Sequence, residues 1–251
     1  MRLRVIIPHH SRRALLGRAL RAVQGWPALV VDDGPPDRAP LGEVGAPVLR
    51  TEGELGFARA ANAGLAWAEA AGDSHALLLN DDAAPEPGCL DALVAAWTDG
   101  DGALAPTLVG EGGAVERGIV TRRWGRVRAA RPGEVADAYS GACLLLPTSL
   151  RFDPAFRHGF EDVELCRRLR ALGRPPRLVP GARCGHWGGA TLHRRSGEAQ
   201  RHAISGHLRL FGGGRFTPVV LGLGLGQIYR EGLSLERLAG LLEGWRDWRR
   251  A

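Results

Sequence analysis

Asn80, Asp81 and Asp82 follow directly on the apolar run Ala76–Leu79, with Pro85 and Pro87 just beyond. That run has the pattern of a strand buried on both faces. In open α/β sheets, ligands sit past the carboxyl ends of such strands. Adjacent carboxylates there are costly unless a cation or hydrogen-bond donors neutralise them. The same residues also suit an Asx-turn and the cap of a helix after Pro87. A second pair, Asp32-Asp33, ends the stretch Ala28–Val31 and runs into Gly34-Pro35-Pro36-Asp37. Two strands ending in paired aspartates on one edge favour a shared ligand over two separate turns. A third acidic pair, Glu161-Asp162, opens a helix with the apolar stripe Leu165, Cys166, Leu169 and Leu172. Helical spacing turns Asp162 inward, whereas Glu161 is accounted for as a partner of the helix dipole. His186 stands among glycines in Cys184–Gly189. With two aspartate clusters in need of a cation, it reads as a ligand.

The elements that must hold these residues follow from periodicity. Leu3–Ile7, Ala28–Val31, Val48–Leu49 and Ala76–Leu79 read as strands. A helix capped by Ser11 and a helix over Leu55–Ala71 lie between them. This alternation predicts an α/β fold with a mostly parallel sheet flanked by helices. Gly56–Gly64 opens the second helix, where glycines let a backbone approach a phosphate and the N-terminus favours an anion. Arg59 either reaches a nucleotide or belongs to a solvated face. Asn62, disfavoured inside a helix, is expected to bond something specific. Pro87–Trp97 is a further helix, and Ala103–Ala105, Ala138–Leu146 and Leu178–Pro180 are strands. Thr107–Arg131 is a hairpin or irregular loop. The tail holds a basic helix over His193–Leu210, a Gly-rich break at Phe211–Phe216 and an amphipathic helix over Leu235–Trp248. Arg and Trp on that last helix fit a membrane surface or packing on its own domain or a twin subunit, a homodimer; the packing explanation is preferred.

Composition sets outer bounds. All 33 basic residues are Arg, so the net charge of +6 reflects compositional bias more than an acidic partner. Cys89, Cys143, Cys166 and Cys184 lack metal-site or disulfide-scaffold spacing, and three of them sit in apolar or helical patterns and read as small core residues, which suggests a reducing, cytoplasmic setting. Met1–Pro8 is strand-like, not a leader, and Pro218–Ile228 is too short and Gly-broken to span a bilayer.

Taken in order, Val-Asp-Asp-Gly-Pro-Pro-Asp, Gly-Phe-Ala-Arg-Ala-Ala-Asn-Ala-Gly, Leu-Asn-Asp-Asp, Gly-Phe-Glu-Asp-Val-Glu-Leu-Cys-Arg-Arg-Leu-Arg and Val-Pro-Gly-Ala-Arg-Cys-Gly-His-Trp-Gly-Gly-Ala resemble family 2 glycosyltransferases of the GT-A fold. The nearest likeness is to bacterial rhamnosyl- and galactosyltransferase-like members that build surface polysaccharides. The resemblance covers about Leu3 to Leu210. It implies a single GT-A catalytic domain over 1–210, with a nucleotide-binding half at 1–106 and an acceptor half at 107–210, and a helical extension at 211–251. It also implies site roles. Pro8, His9, Asp32 and Asp33 would hold the base, and Arg59 and Asn62 would also contact the nucleotide. Asn80 would face the ribose beside Asp81, and Asp82 and His186 would bind Mn²⁺ or Mg²⁺. Asp162 would be the general base, and Gly141, His158, Glu161 and Trp187 would surround sugar and acceptor. The implied partners are a nucleotide-sugar donor, UDP or dTDP based, and a glycan or lipid-linked acceptor, with peripheral membrane contact through 235–250 and no nucleic acid.

Such chemistry is coherent. A divalent ion offsets charge on the departing diphosphate, a carboxylate takes the acceptor's proton, and a single base with in-line attack predicts inversion. Two departures stand out: Asn80 replaces the first acid of the family's Asp-x-Asp, and Pro35-Pro36 replace small hydroxyl residues. A nucleotidyltransferase is a rival, but its Gly-rich, Lys-containing signature is missing and a P-loop needs Lys. A non-catalytic Arg-rich polyanion-binding module is the other, and it leaves Asp32, Asp82 and Asp162 without a task.

Overall fold

β-Branched and leucine-rich runs at the start of the chain form the parallel strands their pattern predicts. The computed structural model describes residues 1–121, 127–187, 196–211, 217–231 and 234–250. In chain order the elements are β1 (Leu3–His9), α1 (Arg13–Ala22), β2 (Ala28–Asp32), β3 (Val48–Arg50), α2 (Phe57–Ala70), β4 (His75–Leu79), β5 (Ala83–Pro85), α3 (Cys89–Ala96) and β6 (Leu104–Val109). There follow β7 (Val115–Glu116), β8 (Ile119–Thr121), β9 (Val127–Ala129), β10 (Cys143–Pro147), α4 (Glu161–Ala171), β11 (Arg177–His186), α5 (Gly197–Phe211), α6 (Thr217–Glu231) and α7 (Leu235–Arg250). Among the described residues the main sheet runs β3-β2-β1-β4-β10-β6-β11-β5, with β7 beside β6. The strands β3, β2, β1 and β4 pair in parallel, as do β6 and β11, while β10 lies antiparallel between β4 and β6. The fold is therefore α/β with helices flanking a mixed sheet, in which four of the eight pairings among the described residues are parallel and three of those four make up the β3-β2-β1-β4 half.

Alternation along the strands sends side chains to two cores. Val5, Ile7, Leu77, Leu79 and Leu145 pack with Leu16 and Ala19 of α1 and Leu90 and Leu93 of α3. Ile6, Val31, Leu78 and Leu144 face Ala61, Leu65 and Ala68 of α2 and Leu165 and Leu169 of α4. Gly64 is where α2 comes nearest the sheet: a Cβ there would meet Ile6 at 2.4 Å and Val31 at 2.9 Å. All four cysteines are buried free thiols, one more than their sequence patterns predict.

Some expectations need correction. Arg12, not Ser11, stands at the N-cap of α1, and no side chain caps it. The strand expected from Ala138 begins only at Cys143, because the backbone before it turns to meet α4. The short strand at Leu178–Pro180 continues to His186 after a register shift between Val179 and Arg183, so His186 ends a strand instead of sitting in a loop. β5 was not foreseen, nor α6 as a helix in its own right; Pro218–Ile228 reads in sequence only as too short and Gly-broken for a membrane span, yet Val220 and Ile228 pack there against α5 and α7. The expected hairpin region contains β7 and the β8–β9 pair, with residues 122–126 outside the described residues. The start of the predicted helix at His193 and most of the break at Phe211–Phe216 also lie outside them.

In the tail, Leu238, Leu241, Trp245 and Trp248 of α7 pack with Ile204 and Leu208 of α5. A Cβ on Gly240 would stand 1.9 Å from the carbonyl of Gly197, so the two helix backbones touch. Much of the apolar stripe of α7 is thus taken up by its own chain, while Leu235 and Leu242 stay exposed. No helix among the described residues is long and apolar enough to cross a membrane.

Candidate functional site

Parallel registry brings the chemistry to one edge. In the β1–β2 pairing His9 stands opposite Asp32, and β4 ends beside β1 so that Asn80–Asp82 emerge at the same end. His9 Nδ1 lies 2.6 Å from Asp81 Oδ2, both side chains buried. Pro8, one residue earlier in β1, is buried opposite Val31. The antiparallel β5–β11 pair sets His186 opposite Ala83. This register, with Trp187 N–H donating to the Asp82 carbonyl at 3.0 Å, brings His186 Nε2 to 3.4 Å from Asp82 Oδ1. Asn80 Oδ1 is buried beside this corner and has no hydrogen-bond partner among the described residues.

Asp32 and Asp33 are held differently from one another. Asp32 is fully buried between two guanidiniums: Arg50 reaches Oδ2 at 2.5 Å and Arg38 reaches Oδ1. Asp33 accepts hydrogen bonds from Thr51 Oγ1 at 2.7 Å and from the amides of Leu55 and Gly56 at 3.0 Å. Gly56 can serve there because its φ of 87° is open to glycine. The amides just before α2 that were expected to meet a ligand anion are therefore occupied, by Asp33 and, for Phe57 N–H, by the Arg157 carbonyl. Asn62 is engaged as well. Its side chain does bond something specific, but that is backbone: Nδ2 donates to the Phe152 carbonyl and Oδ1 accepts from the Phe152 amide, both at 2.8 Å. Arg59 is exposed on the first turns of α2. We expect Asn62→Ala to lower stability by about 1–3 kcal/mol, since it leaves two half-buried backbone groups unpaired. Chemical denaturation of the variant measures this, and nucleotide affinity should stay unchanged.

Across the sheet, α4 carries the acidic pair. Phe160 precedes it with φ of 69°, a left-handed turn that swings the helix start toward Gly141. Gly141 N–H donates to Asp162 Oδ2 at 3.1 Å, and Val163 N–H donates to Oδ1 at 2.7 Å. Burial raises the Asp162 carboxyl above the usual aspartate range despite these donors. Burial, and then the neighbouring Asp162 charge, push Glu161 up to about 8. Its Oε2 is buried without a partner among the described residues. A folded-state value raised from 4.5 means that the stabilising proton is fully held below pH 4.5 and lost as pH rises through about 8. Wild-type stability should therefore decline over that window, and Glu161→Gln should flatten the decline. Thermal melts of both proteins between about pH 5 and 8 read this directly.

Asp162 lines a cavity of about 440 Å³ with His158, Phe160, Val163, His202 and Gln227. His158 is held down to about 4, chiefly by burial and then by His202, so it is neutral at pH 7. Of the expected sugar and acceptor residues, Gly141, His158 and Glu161 cluster near Asp162. Trp187 does not: Arg18 of α1 lies over its ring at 4.5 Å, on the side of Asp82 and His186. Sequence reasoning missed Arg38, Arg50 and Thr51, which grip the Asp32-Asp33 pair. Only the need of a buried carboxylate for partners could have signalled them. It also missed His202 and Gln227, which sit on helices read only as tail.

Among the described residues no three His, Cys, Asp or Glu side chains form a metal cluster. The Asp82–His186 pair supplies one carboxylate and one imidazole, a donor set that suits Mn²⁺ or Mg²⁺ when a ligand's oxygens and water complete the shell.

In comparisons with known proteins, the family model "Glycosyl transferase family 2" matches residues 4–148. Among solved structures the chain is similar to the mannosyltransferase PcManGT from Pyrobaculum calidifontis, solved in complex with GDP-Man and Mn²⁺. Identity there is 15%, all of this chain and 74% of that one are covered, and the TM-score is 0.58. It is also similar to S. aureus TarS 1-349, at 13% identity, 99% and 80% coverage and a TM-score of 0.55. No curated protein sequence matches. At such identities the structural likeness carries the fold alone, which is GT-A. The family match, however, runs from β1 to just past β10 and takes in more than half of the sequence, so the chain belongs to glycosyl transferase family 2.

Proposed function

We propose that this protein is an inverting, metal-dependent glycosyltransferase. It moves a sugar from a nucleoside-diphosphate sugar to a hydroxyl of a glycan or lipid-linked acceptor. The observation that carries the proposal is the meeting of Asp82 and His186 at 3.4 Å on the strand edge that also holds His9, Asp32 and Asp81. In this reading His9 and the Asp32-Asp33 loop receive the nucleotide base, and Asn80 offers its orphaned oxygen to a ribose hydroxyl. Asp82 and His186 hold Mn²⁺ or Mg²⁺, which when bound offsets the negative charge of the departing diphosphate. The acceptor hydroxyl attacks the anomeric carbon from the face opposite the diphosphate. A new carbon–oxygen bond forms as the sugar–phosphate bond breaks, and the hydroxyl proton passes to Asp162. The raised affinity of that carboxyl for protons suits the role. Residues 1–106 would form the donor half and 107–210 the acceptor half. Family members of the rhamnosyl- and galactosyltransferase-like kind, acting in surface polysaccharide synthesis, remain the nearest functional analogy for the donor sugar.

The test is thermal stability with Mn²⁺ and with UDP, dTDP or GDP, singly and together. Joint addition is expected to stabilise the fold by more than the two separate effects combined, because each ligand completes the other's site. The absence of any shift with every nucleoside diphosphate would sink the proposal. A screen of nucleotide sugars for metal-dependent hydrolysis would then identify the donor.

A further inference from the structure

The cavity beside Asp162 adjoins a second of about 300 Å³, with His158, Gly159 and His202 as common wall. That one adjoins a third of about 590 Å³ across Ala155, Phe156 and Arg209. The two outer cavities are lined by guanidiniums of α4, α5 and the loop before α4: Arg157, Arg167, Arg168, Arg201 and Arg209. Their carboxylates are already engaged. Glu164 accepts from Arg168 at 2.9 Å, Asp247 from Arg201 at 2.6 Å, and Asp153 from the Ala155 amide at 2.9 Å. Arg157, Arg167 and Arg209 instead donate to the backbone carbonyls of Glu54, Leu210 and Asp247. Among the described residues none of these three pairs with a carboxylate, and the Nε of Arg209 is buried without a partner. Positive charge is thus left over in one direction from Asp162, while the cavity at Asp162 itself is walled by Ile119, Val127, Phe160 and Val163.

Resting on the reading of Asp162 as the acceptor-side base, we infer that the acceptor is anionic. Its reacting sugar lies in the apolar cavity at Asp162, and a phosphate or carboxylate farther along it is held by Arg209, Arg157 and Arg167. Guanidinium forks bind both groups through paired, charge-assisted hydrogen bonds. Arg209 is the central contact, since it faces both outer cavities. The neutral imidazole of His158 at the common wall leaves the near end uncharged, which suits an unmodified sugar there.

The experiment titrates the full chain, loaded with Mn²⁺ and a nucleoside diphosphate, with three tetrasaccharides at fixed ionic strength: one neutral, one containing uronate, one containing a phosphodiester. At least one charged tetrasaccharide is expected to bind about tenfold more tightly than the neutral one, and the uronate and phosphodiester arms separate the two sources of charge. Arg209→Gln should remove that preference and Arg209→Lys should restore part of it. Arg157→Gln, at an exposed position, should also reduce the preference, and its melting temperature is read alongside because the side chain donates to the Glu54 carbonyl. Equal binding of all three tetrasaccharides, or a preference that survives both glutamine variants, would overturn the inference. Nucleoside-diphosphate binding in the same variants keeps the two readings apart. If it is intact while the charge preference is missing, the inference alone fails; if it is missing in wild type, the donor reading fails instead.

Discussion

Asp162→Asn is expected to cut sugar transfer by about 10²–10⁴-fold, the usual worth of a positioned general base, while nucleoside-diphosphate affinity stays at its wild-type value. The geometry separates these two effects. Asp162 sits at the head of α4, bonded to the Gly141 and Val163 amides and open to the 440 Å³ cavity. The nucleotide edge at His9, Asp32 and Asp81 belongs to other strands. An asparagine keeps the size of the side chain and one of its two accepting atoms, so the fold survives with a small loss. It cannot take the acceptor's proton. Transfer rates and calorimetric titration with UDP or dTDP check the two halves of the prediction, and lost nucleotide affinity would reassign Asp162 to the donor side.

The second large effect is expected from Asp82→Ala. Asp82 is buried, and its carboxylate faces His186. Removing it takes away the charged member of the only donor pair assigned to the cation. The joint stabilisation by Mn²⁺ and nucleoside diphosphate should then fall to that of the nucleotide alone. For a ligand present at a hundred times its dissociation constant, that is a loss of up to about 2.7 kcal/mol. His186→Ala should behave in the same direction with a smaller loss, because a neutral imidazole contributes less attraction than a carboxylate. A Mn²⁺-dependent shift that persists unchanged in Asp82→Ala would place the cation elsewhere.

Much of this architecture was legible in the residues. Leucine and β-branched runs closed by Pro or Asp marked β1, β2 and β4, because strands buried on both faces must be apolar throughout. The inward turn of Asp162 followed from helical spacing against Cys166, which is fully buried. What escaped were features decided by partners remote in the chain. Asn62 looked like a ligand-binding residue because an amide inside a helix needs a reason, and Phe152 supplies one from 90 residues further along the chain. His186 was read as lying in a glycine-rich loop, since short polar stretches carry no strand signal. Pairing with β6 and β5 makes it a strand all the same. The grip of Arg38 and Arg50 on Asp32 was invisible amid so many arginines. The Gly-Leu alternation of α6 imitates a loop until neighbouring helices cover it.

The meeting of Asp82 with His186 depends on β11 docking against β5, and so on a strand synthesised long after the aspartate. A nascent chain that has emerged only as far as β10 carries Asp32, Asp33, Asp81 and Asp82 yet lacks the imidazole. Under the proposed function, cation capture would therefore be a late event in the life of the polypeptide, and it would report that β11 has been stitched into place. Metal affinity followed during refolding would time that closure.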